Sequence, residues 1–252
     1  MQPRRLFSVF RIESTIDIKE IPMKSWVKIG VPAVLAFVIL GCRASINGGL
    51  SVDDGEKVNH DLVSINGSIR VGSDCQIRGW CRSINGGIEV GDHSQITGLQ
   101  SINGQLNLGR DVWIKSGLMS INGSIQCEPG CRIGKEIRTV NGSIQIDSTE
   151  VKGDVSTHNG DIRLSGGSVV RGNVIIRHSK NENRRSRRPI QIEIDGNSVV
   201  EGNVVVHDPD AEVEVMLSNG GRLAGKAVGA KVIENRMSGS EPGTPAKPDD
   251  WK

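Results

Sequence analysis

The chain contains no Tyr, three Phe and four Trp, an aromatic fraction of 3%. So little aromatic surface leaves little for a stacking platform. Its 31 Lys and Arg stand against 29 Asp and Glu, a formal net charge of +2. That excess is too small to make nucleic acid an obligate partner. The apolar run over residues 29–40 has about 12 residues, where a membrane-spanning helix needs roughly 20. The five His, at 60, 93, 158, 178 and 207, form no local metal or triad pattern. Asp53, Asp54, Asp74, Asp92, Asp111 and Asp161 fall mostly at corners, where turn chemistry accounts for them. The sequence therefore assigns no catalytic residue, no metal and no cofactor.

What is abundant is repetition. Ser45, Ser64, Ser83, Ser101 and Ser120 each open a Ser-Ile-Asn-Gly unit, and Thr139-Val140-Asn141-Gly142 and Thr157-His158-Asn159-Gly160 continue the series. Successive units are 18 or 19 residues apart, too short for a helix pair and suited to one coil of a solenoid. Apolar residues alternate within each unit, as in Ile65, Ile69 and Val71, which is the signature of strand. Asn-Gly pairs favour tight turns with positive φ, and a second punctuation recurs at Ile77-Arg78-Gly79, Val151-Lys152-Gly153 and Val170-Arg171-Gly172. The predicted fold is all-β: a single-stranded parallel β-helix, or β-solenoid, of roughly 19-residue coils with three short strands each. Its Gly-rich and Val/Ile-rich composition suits a core of aliphatic ladders.

Stacking coils brings equivalent residues together. Asn47, Asn66, Asn85, Asn103, Asn122, Asn141 and Asn159 are expected to form a structural amide ladder that satisfies a buried corner. Ile121 is expected to point into an aliphatic ladder, and Arg70 to face water.

Ahead of the repeats, Lys24 and Lys28 precede the apolar run, which closes on Ile39-Leu40-Gly41-Cys42. This is the layout of a secretory signal over residues 23–41, and its ending resembles the lipobox of bacterial lipoproteins. That resemblance implies cleavage before Cys42 and lipidation of its sulfur and new amino group, a palmitate-type membrane anchor. Arg43, where an Asp would signal retention, resembles outer-membrane sorting in Gram-negative bacteria. Residues 1–22 read as an extension ahead of a start at Met23, or as a long basic leader carrying Arg4, Arg5 and Arg11.

With Cys42 lipidated, the remaining cysteines are even in number, Cys75 with Cys81 and Cys127 with Cys131. Each pair could form a local disulfide or stay as buried thiols, since geometry decides. Residues 179–189 interrupt the repeat with Arg184, Arg185, Arg187 and Arg188, a basic loop able to contact anionic envelope lipids or polymers. The solenoid is expected over residues 42–236, ahead of a disordered tail at 237–252 carrying Pro242, Pro245 and Pro248.

The Thr139-Val140-Asn141-Gly142 and Asn159-Gly160-Asp161-Ile162 units resemble the repeats of the adhesin-type bacterial β-solenoid family. The Val-x-Gly-Asn-Val units at Val170 and Val200 are similar to those of the polymer-forming bactofilins. Bactofilins are typically cytoplasmic and lack a lipobox, which favours the adhesin-type comparison. Together these features imply an exported, lipid-anchored cell-envelope protein of structural or adhesive role, with self-association through its open ends. The alternative is a glycan-binding or glycan-cleaving β-helix.

Overall fold

The computed structural model describes residues 42–177 and 188–235. The first coil carries β1 (Arg43–Ser45), β2 (Leu50–Val52) and β3 (Lys57–Val58), and the next begins with β4 (Leu62–Ser64) and β5 (Ile69–Val71). Then β6 (Gln76–Ser83) turns a corner without a break, β7 (Ile88–Val90) follows, and β8 (Gln95–Ser101) turns the same corner. Strands of the β2, β5 and β7 series form a sheet of 10 strands, here called the first face, so there are ten coils among the described residues. The β3 series (second face) and the β1 and β4 series (third face) merge through β6 and β8 into one 17-stranded sheet. Every pairing is parallel, with residues of one coil over their equivalents in the next. No helix occurs among the described residues.

Alternation explains why these segments are strands. In β5, Ile69 and Val71 are buried and Arg70 between them is exposed. Identical phasing in each coil stacks the inward residues into continuous columns. One column on the first face runs Leu50, Ile69, Ile88, Leu106, Ile125, Ile144, Ile162, Ile192 and Val215. Val58, Ile77, Ile96 and Ile114 begin the column of the second face, and Leu62, Cys81, Leu99 and Leu118 that of the third. Nearly all are under 5% exposed, and a fully buried aliphatic side chain stabilises by about 1.5–3 kcal/mol.

One inward column is polar. Ser64, Ser83, Ser101, Ser120, Thr139 and Thr157 are buried. Each hydroxyl donates to a glycine carbonyl of the preceding coil, from Ser64 Oγ to Gly48 at 3.2 Å to Thr139 Oγ1 to Gly123 at 3.0 Å. With Ser pointing inward, the following residue must point out. Ile46 is 48% exposed, and Ile65, Ile84, Ile102 and Ile121 are half-buried on the outer surface. The expectation that Ile121 lies in the core is thus overturned, because alternation resets its phase at the corner between Ser120 and Ile125. Arg70 faces water as expected.

Two further expectations about this corner are corrected. None of the pairs from Asn47-Gly48 to Asn159-Gly160 has a positive φ. The chain bends there from one face to the next rather than reversing, so no left-handed residue is needed. Glycine is required for another reason: a methyl group on Gly67 would overlap the Gly48 carbonyl oxygen, and one on Gly123 that of Gly104. The left-handed residues sit instead between the first and second faces, at Asp74 (φ 57°), His93 (58°), Asp111 (55°) and Gly130 (87°). The corner is also not buried, since Asn47, Asn66, Asn85, Asn103, Asn122 and Asn141 are exposed.

Ile162 pairs with Ile192 rather than with a residue 18 or 19 positions on. The additional chain lies between strands Val174–Ile176 and Ile190–Ile194, where earlier coils have the Asn-Gly corner, and Asn159 is the last ladder member seen among the described residues. Residues 231–235 pair in parallel with the strand Val213–Ser218 and continue the coil.

Candidate functional site

Cys42 is the residue immediately before β1, and it is partly exposed. A group attached there would be tied to the first rigid coil with no flexible spacer between.

The exposed corner carries the amide ladder. Asn66 Nδ2 donates to Asn47 Oδ1 at 3.1 Å, and the same bond recurs from Asn85 to Asn66, Asn103 to Asn85, Asn122 to Asn103, Asn141 to Asn122 and Asn159 to Asn141, at 2.8–2.9 Å. Each interior amide thereby uses one of its two N–H groups and one lone pair along the axis. Its remaining capacity faces solvent beside the half-buried Ile column. Chemically this is a periodic hydrogen-bonding edge with an apolar border, and it contains no nucleophile.

The four inner cysteines are free thiols and all are buried. They occupy ordinary column positions. Cys81 stands between Leu62 and Leu99, and Cys127 between Leu108 and Ile146. Cys131 Sγ donates to the Gly109 carbonyl at 3.1 Å, as Ser94 Oγ donates to that of Gly72 at 2.9 Å. Burial pushes the Cys81 thiol up to about 12, with Asp61 adding to the effect, and the Cys131 thiol up to about 11. Cys127 is also raised, by burial first and by Cys131 and Glu128 after it. Groups held neutral this firmly are poor nucleophiles and poor metal ligands. Among the described residues no cluster of His, Cys, Asp and Glu is arranged to hold a metal ion.

Of the loop arginines, Arg184, Arg185 and Arg187 lie outside the described residues. Arg188 grips Asp161 in a two-pronged ion pair, Nη2 to Oδ2 at 2.5 Å and Nη1 to Oδ1 at 3.3 Å. This raises the guanidinium's pKa and engages it at the root of the loop. Asp161 Oδ1 also accepts from the Gln191 backbone N–H at 3.0 Å.

The other corner carboxylates are mostly engaged as well. Asp54 Oδ1 and Asp92 Oδ1 each accept a backbone N–H of the next coil at 2.7 Å, from Ser73 and Arg110. His93 stands between Asp74 (3.7 Å) and Asp111 (3.8 Å), all three exposed. The sequence offered no sign of that stack, because its members belong to three successive coils. The same holds for Arg138 and Arg177. Burial depresses the Arg177 pKa and the nearby Arg138 charge adds to this, while Glu136 and Asp154 oppose; Glu136 itself pairs with Arg138 at 3.5 Å.

The chain matches no family model, no curated protein and no solved structure. What the geometry establishes is the fold, a β-solenoid of repeated coils.

Proposed function

We propose that this protein is a lipid-anchored component of the bacterial cell envelope, held through Cys42, with a structural or adhesive role. The observation that carries the reading is the junction at Cys42, where a short apolar run preceded by Lys24 and Lys28 closes on Gly41-Cys42, directly before the first strand of a rigid solenoid. Acyl chains contribute about 0.8 kcal/mol per buried methylene, and two or more give stable membrane attachment. A rod fixed at one end by such an anchor presents its faces at a distance from the bilayer. Arg43 fits sorting to an outer membrane in a Gram-negative host. The resemblance of the repeats to adhesin-type solenoids supports the same setting, as does their likeness to bactofilin repeats for a scaffolding role. A non-catalytic reading is supported by carboxylates that cap turns and by thiols held neutral.

The test is metabolic labelling with a radioactive fatty acid in a bacterial host. The chain should take up label and the Cys42→Ser variant should remain unlabelled and unprocessed. Label retained by the variant would overturn the anchor.

A further inference from the structure

Two Trp fall among the described residues, and one of them is exposed. Trp80 lies over Gly98, with the Arg82 guanidinium 5.3 Å from its ring centre. Trp113, in contrast, is 48% exposed. On the outer surface of the second face, Gln76, Gln95, Trp113 and Arg132 are successive ladder partners and form a straight row along the axis, each about 4.8 Å from the next. Gln76 Nε2 donates to Gln95 Oε1 at 3.1 Å, and the Lys115 ammonium is 5.8 Å from the Trp113 ring centre. Lys115, Arg132, Lys135 and Lys152 are exposed, and none of them forms an ion pair among the described residues. The row's one carboxylate, Glu150, is taken by Arg171 at 2.8 Å.

We propose that this row binds a linear acidic polysaccharide. The apolar face of a pyranose stacks on an exposed indole. Side-chain amides serve hydroxyl groups as donor and acceptor, and unpaired ammonium and guanidinium groups bind carboxylate or sulfate substituents. The coil spacing is close to the advance of one sugar along an extended chain, so neighbouring sugars meet neighbouring coils. A bilayer surface would call for several apolar side chains, yet Trp113 is the only large one exposed on this face among the described residues. A nucleic-acid strand would call for further aromatics to stack successive bases. The proposal rests on the adhesive role for its biological setting. It is tested without reference to the anchor, so that either can fail alone.

The experiment is affinity electrophoresis of the full chain in mild detergent, in native gels containing polygalacturonate (carboxylated), heparin (sulfated) or dextran (neutral). At low salt one or both acidic polymers should retard the chain while dextran does not. Trp113→Ala should weaken the retardation about fivefold, Lys115→Gln with Arg132→Gln should abolish most of it, and added salt should weaken it. Arg70→Gln, on the first face, should leave it unchanged. Retardation by neither acidic polymer overturns the proposal. So does retardation indifferent to Trp113, or lowered as much by Arg70→Gln as by the pair on the second face. Trp113-dependent binding to phosphatidylglycerol vesicles or to an oligothymidylate, without such binding to the polymers, would assign the face to another partner and overturn it as well.

Discussion

Replacing Ile125 by Ala should destabilise the solenoid several times more than replacing Ile121 by Ala, although both belong to one coil. Ile125 is fully buried between Leu106 and Ile144. Backbone ladders above and below hold its neighbours in place, so the space left by truncation cannot readily collapse. The loss then lies in the upper part of the usual range, about 4 kcal/mol. Ile121 is half-buried on the outer surface. The same truncation there forfeits about half the transfer free energy of the lost carbons, about 1 kcal/mol. At about 2–4 °C per kcal/mol for a domain of this size, melting temperatures should fall by about 8–16 °C and about 2–4 °C respectively. Ser120→Ala sharpens the test. Its hydroxyl is buried and serves the Gly104 carbonyl at 3.1 Å. Leaving that acceptor unpaired costs about 1–3 kcal/mol, so loss of one small polar atom should match or exceed loss of most of the Ile121 side chain. Thermal melts followed by far-ultraviolet circular dichroism, with exposed Gln126→Ala as the control, measure all four. Equal shifts for Ile121 and Ile125, or a neutral Ser120→Ala, would refute the phase of the chain at this corner.

The two cysteines of one coil should respond oppositely to Ser. Cys131→Ser should be tolerated within about 1 kcal/mol, because a hydroxyl there can donate to the Gly109 carbonyl as Cys131 Sγ does. Cys127→Ser, between Leu108 and Ile146, should cost about 1–3 kcal/mol for an unpaired hydroxyl in an apolar column; urea unfolding compares them. The raised thiols also set a direction with pH. Unfolded thiols lose their protons near 8.5–9 while Cys131 and Cys81 keep theirs to about 11 and about 12, so the unfolded state binds fewer protons in between. Stability should therefore fall as pH rises from about 9 through that interval, seen as a declining urea midpoint. A midpoint flat with pH in a variant lacking every other alkaline-titrating difference would count against thiol burial. Finally, β1, β2 and β3 at one end and Arg222–Leu223, Ala227–Val228 and Lys231–Asn235 at the other each pair on one side only among the described residues. Such matching parallel edges template head-to-tail growth, and light scattering should show size rising with concentration. A monomer at high concentration would refute it.

The coil length, the count of strands per coil and the inward aliphatic columns follow from sequence alone, because a residue such as Ile69 repeats every 18 or 19 positions with a polar neighbour on either side. Strand alternation is local, and a period makes it visible. The amide ladder was legible for the same reason. Which way a side chain points at a corner was not: Ile121 is apolar yet faces out, and Ser120 is polar yet faces in. There the deciding partner is the glycine carbonyl of the previous coil, a group close in space and remote in sequence. The state of the four inner thiols, the Asp74–His93–Asp111 stack and the Gln76–Gln95–Trp113–Arg132 row depend likewise on neighbours one coil away. A chain read along its length shows each of these residues alone; only the stacking of coils makes them adjacent.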